Sequence, residues 1–199
     1  MIATKIMIYT EQTPNPESLK FVTNKMLYRG TADFDTRELA IEWSPLAAAL
    51  YEMPFVKSVY ISSNFVTITK EMNYEWVEIM AKLREFIQKQ LEENIVIIQE
   101  GFAEAMDLLA AEKRRSYVGG GDDAMSLRIR ELIDTYVKPA VEMDGGNIEF
   151  QRYEEGVVYV QMQGSCSGCP SSTVTLKAGI EGMLKRMVPE VKEVVQEMA

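Results

Sequence analysis

Residues 144–170 read DGGNIEFQRYEEGVVYVQMQGSCSGCP, and this stretch decides the fold of the second half of the chain. Residues 148–152 and 157–161 contain the β-branched and aromatic residues that strands favour. The polar corner Glu154-Glu155-Gly156 between the two runs is typical of a hairpin turn. The stretch therefore predicts a β-hairpin that leads directly into a loop carrying both cysteines of the chain.

Helical patterns flank this hairpin on both sides. Upstream, apolar residues recur at helical spacing through 127–141, and Ser126 is the expected N-cap. Downstream, Pro170 suits the first position of another helix, and residues 191–195 read as a last short strand. The order helix, strand, strand, cysteine loop, helix, strand predicts a small α+β domain.

The first half of the chain predicts a second small α+β domain. Strands are expected at 19–22, 56–61 and 65–69, and Ser44 before Pro45 marks the start of an apolar helix. A second helix is amphipathic, with one continuous apolar stripe. The apolar positions of this stripe are Trp76, Val77, Met80, Leu83, Phe86, Ile87 and Leu91.

A glycine-rich, acidic segment separates the two halves. Gly119-Gly120-Gly121 followed by Asp122-Asp123 predicts a hinge. Residues 91–124 carry three basic and eight acidic groups, and residues 103–115 have the composition of a helix. We therefore expect an N-terminal domain at 1–98, a linker with a helix at 99–124, and a C-terminal domain at 125–199.

Composition narrows the classes of function. The chain has 199 residues, and its 21 Lys and Arg against 30 Asp and Glu give a net charge of −9, so nucleic acid is not an expected partner. The longest apolar run, 46–51, is far short of the roughly 18 to 20 residues that cross a bilayer, so no membrane segment is expected. The first residues have the pattern of neither a signal nor a transit peptide, which predicts a cytoplasmic protein.

The sequence contains no histidine. This removes His-based acid–base chemistry, Ser-His and Cys-His nucleophile pairs, and imidazole metal ligands. Residues 1–90 assemble no catalytic constellation either, so the residue chemistry does not indicate what that half of the chain does. The main chemical signal is the pair of cysteines, Cys166 and Cys169.

Cys166 and Cys169 are three positions apart in a glycine- and serine-rich loop, which lets both sulfurs face one metal and argues against their burial. Cys169 falls beside the start of the expected helix, where a thiolate is favoured. One pair supplies only two of the four ligands of a tetrahedral zinc or an iron–sulfur cluster. A second copy of the chain is the simplest source of the others, which predicts a metal-bridged homodimer.

The spacing leaves several chemistries open. Soft thiolates bind iron–sulfur clusters, zinc or copper(I). The same pair could serve as a redox dithiol in a thiol-disulfide oxidoreductase, could hold a structural zinc shared by a dimer, or could be an inert pair of small residues. Residue chemistry alone does not choose among these readings.

A family resemblance adds to this. Met143-Asp-Gly-Gly-Asn147 and Gly164-Ser-Cys-Ser-Gly-Cys-Pro-Ser-Ser-Thr-Val-Thr-Leu-Lys177 resemble the C-terminal domain of NifU and of the Nfu-type iron–sulfur carriers, over about residues 127 to 195. Residues 10 to 90 are similar to the Nfu N-terminal domain through Thr13-Pro-Asn-Pro-Glu-Ser-Leu-Lys-Phe21, Ser44-Pro-Leu-Ala47 and Val56-Lys-Ser-Val59.

The resemblance implies that Cys166 and Cys169 of two chains hold a labile 4Fe-4S cluster between them, with 2Fe-2S as the other cluster type that four shared thiolates accept. It also implies that the chain is a carrier and not an enzyme. The cluster would be transferred to apo iron–sulfur proteins, with an upstream assembly scaffold as a donor. The extended 91–124 connector and the absence of a central ferredoxin-like domain depart from full-length NifU, so a role in nitrogenase maturation is not implied.

Overall fold

A computed structural model describes residues 5–116, 123–167 and 170–197, without the side chains of 113–116 and 170–175. The chain divides into two compact units between Phe102 and Ala103. Each unit combines helices with its own β-sheet, which confirms the predicted α+β class. Among the described residues, no helix is both long enough and apolar enough to cross a membrane.

The N-terminal unit is built on a five-stranded antiparallel sheet in the order β1-β2-β5-β4-β3. The predicted strands at 19–22, 56–61 and 65–69 are confirmed as β2, β4 and β5, whereas β1, β3 and α1 have no counterpart in the prediction. Its elements are β1 (Ile8–Gln12), β2 (Ser18–Thr23), β3 (Tyr28–Phe34), α1 (Arg37–Trp43), α2 (Pro45–Tyr51), β4 (Val56–Ser63), β5 (Phe65–Lys70) and α3 (Trp76–Glu92).

Ser44 separates two consecutive helices of this unit, as its sequence context predicts. Its hydroxyl accepts a hydrogen bond from the Ala47 amide at 3.0 Å, which caps α2, and donates one to the Ile97 carbonyl at 2.6 Å. Pro45 follows at the first helical position, where a missing N–H costs nothing. The predicted helix start is confirmed.

Helix α3 buries a slightly different stripe from the predicted one. Leu83, Ile87 and Leu91 are buried as expected. The prediction that Val77 belongs to the buried stripe is wrong, since 86% of its surface is exposed. Ile79 is buried instead. Ile79 lies four residues before Leu83 and therefore on the same face of the helix, whereas Val77 lies outside that row.

The C-terminal unit follows the predicted order of helix, hairpin, loop, helix and strand. Its three-stranded sheet has the order β6-β7-β8, with β6 antiparallel and β8 parallel to β7. Its elements are α4 (Phe102–Ser116, which begins on the last residue of the N-terminal unit), α5 (Ala124–Leu132), a π-helical turn (Ile133–Val137), α6 (Lys138–Met143), β6 (Gly146–Glu154), β7 (Val157–Gly164), α7 (Pro170–Met187) and β8 (Glu193–Glu197).

Helix α5 is capped by Asp123, so the prediction of Ser126 as its N-cap is wrong. The Asp123 carboxylate accepts hydrogen bonds from the Ser126 amide at 2.8 Å and from the Ser126 hydroxyl at 3.0 Å. Ser126 is therefore the third residue of the helix. The Ser126 side chain is buried, whereas Asp123 at the end of the helix is exposed.

Pro139 changes the helical path after α5. A proline has no N–H to donate to the residue four positions earlier, so the regular ladder is interrupted. The helix widens into the π-helical turn Ile133–Val137 and resumes as α6 through Met143. The chain then turns at Asp144 into β6, which sets the start of the hairpin beside the cysteine loop.

The core of this unit lies between its sheet and its helices. One apolar cluster buries residues from each of these elements: Ile129 from α5, Ile133 from the π-helical turn, Ile148 and Val160 from the hairpin, and Leu184 from α7. The hairpin turn at Glu155 and Gly156 has positive φ at both residues (49° and 96°), which matches the twist of its strands. The predicted hairpin is confirmed.

Candidate functional site: the cysteine loop

The cysteine loop connects β7 to α7. β7 ends at Gly164, three residues beyond the predicted strand 157–161, and α7 begins at Pro170, as predicted. Of the two predicted site residues, Cys166 lies within the described part of the loop. Cys169 lies outside the described residues.

The described part of the loop is a tight turn. Gly164 has φ 64°, in the left-handed region that glycine adopts without strain. Its carbonyl accepts hydrogen bonds from the Ser167 amide at 3.1 Å and from the Ser167 hydroxyl at 2.9 Å. Both bonds of Ser167 therefore stay within the turn itself.

Ser165 makes the contacts that join this loop to the Asp144–Gly145 turn. Its hydroxyl donates to the Asp144 carbonyl at 2.7 Å, and its amide donates to the Gly145 carbonyl at 3.3 Å. Gly145 has φ 83°, in the left-handed region that glycine adopts without strain. The two turns thus form one hydrogen-bonded unit beneath Cys166.

Gly146 is required for a different reason. A Cβ built on Gly146 would lie 2.6 Å from the Gln163 carbonyl oxygen, 3.0 Å from the Cys166 Sγ and 3.3 Å from the Cys166 amide nitrogen. Two of these three neighbours are backbone atoms, which cannot rotate away. The absence of a side chain at Gly146 is what allows Cys166 to pack where it does.

The prediction that glycines and serines keep the cysteines exposed is wrong for Cys166. Its side chain is only 6% exposed and belongs to the apolar cluster of the unit. The reason is the Asp144–Ser165 contact, which folds the loop against the hairpin. Cys166 is not part of a disulfide bond.

Burial also changes the chemistry of the thiol. Burial is the largest cause that raises the pKa of Cys166; the negative charge of Asp144 adds to it, and the Ser165 hydroxyl, 3.7 Å from Sγ, opposes it. Burial therefore favours the neutral thiol of Cys166 over its thiolate in this conformation.

Asn147 fixes the start of the hairpin next to the site. Its side-chain amide donates to the Gln163 side-chain oxygen at 2.8 Å and to the Glu149 carboxylate at 3.3 Å. The residue is fully buried. Asn147 and Gln163 are opposite each other in the β6–β7 register, so this contact ties together the two strand ends that carry the turn and the loop.

Ser165 and Asn147 are the residues that the sequence did not single out. Ser165 lies twenty-one positions from Asp144, and a contact of that separation leaves no local pattern. For Asn147 the only signal was its place in the Asp-Gly-Gly-Asn turn. Within the described ranges, no group of three or more His, Cys, Asp or Glu residues is placed to hold a metal ion.

Comparison with known proteins identifies the family of the chain. A family model described as NifU-like domain matches residues 129–195, and one described as Scaffold protein Nfu/NifU N terminal matches residues 8–94. A human protein named NFU1 iron-sulfur cluster scaffold homolog, mitochondrial, is 37% identical over 201 residues, covering 97% of this chain and 72% of the human protein. The chain belongs to the Nfu family.

Further relatives of this Nfu protein come from insects and yeast. The protein of the same name from Drosophila grimshawi is 41% identical over 193 residues, covering 95% of this chain and 61% of the relative. The chain spans 61 to 65% of the length of the first Drosophila relatives. A solution NMR structure of a NifU-like protein from Saccharomyces cerevisiae is 29% identical, with TM-score 0.45, covering 50% of this chain and 91% of that one.

The two Nfu family regions fall in separate units of the structure. The Nfu N-terminal match lies within the unit that ends at Phe102, and the NifU-like match lies within the unit that follows. Cys166 and Cys169 are both inside the NifU-like match. The resemblance stated from the sequence is confirmed.

Proposed function

We propose that this Nfu family member carries an iron–sulfur cluster as cargo and transfers it to apo-proteins. Cys166 and Cys169 would hold the cluster. The observation that carries the proposal is a Cys-x-x-Cys loop inside the NifU-like region of a chain whose relatives are named iron–sulfur cluster scaffolds. Thiolate sulfur is the ligand on which such clusters depend, so the donor set fits the cargo.

The cluster is held between two chains in this proposal. The sequence has two cysteines and no histidine, so one chain offers two soft ligands where a cluster takes four. Two copies related by a two-fold axis bring the four thiolates together. We propose a 4Fe-4S cluster in a homodimer; a 2Fe-2S cluster would use the same four ligands.

A cluster bound in this way is suited to delivery rather than catalysis. Two thiolates per subunit release the cargo when the subunits separate or when a recipient exchanges ligands. We propose apo iron–sulfur proteins as recipients and an upstream assembly scaffold as donor. The N-terminal segment 1–98 would select partners, with 99–124 as linker and 125–199 as the cluster-binding domain.

The same proposal assigns no other class of partner. A net charge of −9 opposes binding to nucleic acid. A cytoplasmic location stays a prediction, and the word mitochondrial in the names of the relatives does not decide it for this chain. Fractionation of cells that express the tagged chain is the measurement for it.

Anaerobic reconstitution with iron and sulfide tests the proposal. The wild type is compared with Cys166→Ser and Cys169→Ser by iron, sulfide and zinc content, visible spectrum and native mass. A brown dimer with about two irons and two sulfides per chain, lost in both variants, supports the 4Fe-4S cluster, whereas about one of each indicates 2Fe-2S. Ser167→Ala is the matched control and should load like the wild type.

The competing functions give different results in the same experiment. A colourless dimer with about half a zinc per chain would indicate a structural zinc site. A monomer that binds neither metal but reduces disulfides in insulin would indicate a thiol-disulfide oxidoreductase. Either result overturns the carrier proposal. Transfer is tested separately, by loading an apo-enzyme whose activity requires a 4Fe-4S cluster.

A further inference from the structure

The proposed function leaves a geometric problem at Cys166. A thiol that bridges two chains has to reach the surface of its own chain, yet the Cys166 side chain is 6% exposed and packs in the apolar cluster. Gly146 lies directly against its sulfur. The described conformation is therefore a closed one, and the loop has to move before this sulfur can bind a cluster.

We infer that Ser165 is a positioning residue that holds Cys166 in this closed conformation, and that its hydrogen bonds to the Asp144–Gly145 turn break when the thiol turns outward. The role of this movement in cluster binding rests on the proposed function. Its structural basis is independent of the cluster: the Ser165 hydroxyl donates to the Asp144 carbonyl at 2.7 Å and the amide donates to the Gly145 carbonyl at 3.3 Å.

These two bonds can act as a latch. They connect the residue adjacent to Cys166 with a segment about twenty residues away, so they cannot persist if the loop lifts from the hairpin. Ser165 is itself buried, with 1% of its surface exposed, which removes water as a competitor for the Asp144 carbonyl. Opening therefore has to replace both bonds with bonds to solvent.

Ser167 provides the matched comparison. It lies on the other side of Cys166, and its amide and hydroxyl both donate to the Gly164 carbonyl. Those bonds are internal to the turn and travel with it when the loop lifts. Removing the Ser167 hydroxyl should therefore leave the closed conformation in place, whereas removing the Ser165 hydroxyl should weaken it.

The test measures how often Cys166 becomes accessible in metal-free, full-length protein. In a Cys169→Ser background, Cys166 is the only thiol, and its rate of alkylation by iodoacetamide is followed by mass spectrometry. Loss of one intramolecular hydrogen bond corresponds to about a 2- to 10-fold change in an equilibrium. We expect Ser165→Ala to accelerate alkylation by that factor and Ser167→Ala to leave it unchanged within about two-fold.

The direction of the change separates a latch from a direct effect on the sulfur. The Ser165 hydroxyl also contacts the Cys166 sulfur at 3.7 Å, and loss of that contact alone would make the thiol less reactive. Acceleration therefore reports opening of the loop. An unchanged or slower rate in Ser165→Ala, or equal acceleration in Ser167→Ala, overturns the inference.

Hydrogen exchange gives the second readout. The amide of residue 165 should exchange faster in Ser165→Ala by the same factor, while the amides of β6 and β7 keep their rates. Faster exchange throughout both strands would mean general destabilisation and would overturn a local role. Because both measurements use cluster-free protein, they succeed or fail independently of reconstitution, which tests the proposed function by itself.

Discussion

The Sγ atom of Cys166 lies 3.0 Å from the point where a Cβ on Gly146 would stand. Gly146, the third residue of the Asp-Gly-Gly-Asn turn, is thus a packing partner of the first cysteine. The turn supplies both surfaces that Cys166 requires, since Asp144 and Gly145 also accept the hydrogen bonds of Ser165. The two motifs that carry the resemblance to the NifU C-terminal domain therefore contact each other in the structure.

Replacement of Gly146 by alanine should destabilise the C-terminal unit. The new methyl group would lie 2.6 Å from the Gln163 carbonyl oxygen, and a backbone atom in a paired strand cannot give way cheaply. We expect a loss of about 1 to 3 kcal/mol in the free energy of unfolding, measured by urea denaturation. Gly179→Ala is the control: nothing lies within 4 Å of its Cβ position in α7, and alanine there should stabilise by about 0.5 to 1 kcal/mol. Equal effects at the two glycines would contradict the packing argument.

Substitution of Cys166 by serine should affect folding as well as metal binding. The side chain belongs to the apolar cluster, so a hydroxyl in its place is buried among apolar groups. We expect a loss of about 1 to 2 kcal/mol, seen as a lower urea midpoint in reducing buffer. A urea midpoint equal to that of the wild type would mean that the Cys166 side chain is not packed in the apolar core. The reconstitution experiment must therefore confirm that the variant is folded at the temperature used.

The two faces of α3 should respond differently to truncation. Ile79 is 4% exposed, and its replacement by alanine should cost about 2 to 4 kcal/mol through lost burial and a cavity. Val77 is 86% exposed, and its replacement by alanine should change the free energy of unfolding by less than about 0.5 kcal/mol. Thermal or urea unfolding of the two variants measures both changes. A larger loss of stability for Val77→Ala than for Ile79→Ala would contradict the orientation of α3 described above.

The Asp123 cap should make the stability of the C-terminal unit depend on pH in acid. Hydrogen bonds from Ser126 lower the pKa of the Asp123 carboxyl, so the cap is fully present above the unfolded pKa of about 3.9 and is lost as the pH falls through the lower folded value. Asp123→Ala should cost about 1 kcal/mol at pH 7. That difference from the wild type should disappear in acid.

Asp123→Asn separates the cap from its charge. The amide oxygen still accepts from the Ser126 amide, so the variant should keep most of the stability at pH 7 and show no acid dependence from this position. Urea unfolding at pH 7 and below pH 4 makes the comparison. A pH dependence in Asp123→Asn equal to that of the wild type would assign the effect to other carboxylates.

Sequence reasoning predicted the elements that depend on local pattern. The β6–β7 hairpin, the start of α2 after Ser44 and the start of α7 at Pro170 are all encoded within a few neighbouring residues. It missed β1 and β3, in which exposed residues interrupt the alternation of apolar side chains. It also missed the burial of Cys166, because composition near a cysteine does not show which distant turn the loop contacts.

Two smaller errors have the same origin. Asp123 and Ser126 are both residue types that favour an N-cap, and only the carboxylate–amide contact shows which of them begins α5. In α3, apolar residues exceed the width of one face, so the sequence could not choose between Val77 and Ile79. In both cases the sequence correctly predicted a helix. The contacts with neighbouring residues determined which residue caps it and which residue is buried.

The parallel pairing of β7 with β8 has a consequence for the order of folding. Val157 pairs with Glu193, so this contact closes only after the cysteine loop and α7 have both been traversed. Contacts between residues far apart in the chain are slow to form, whereas the hairpin of neighbouring strands can form early. We expect the segment that carries Cys166 to be enclosed late in folding, so that this thiol is accessible to solvent before it joins the apolar core.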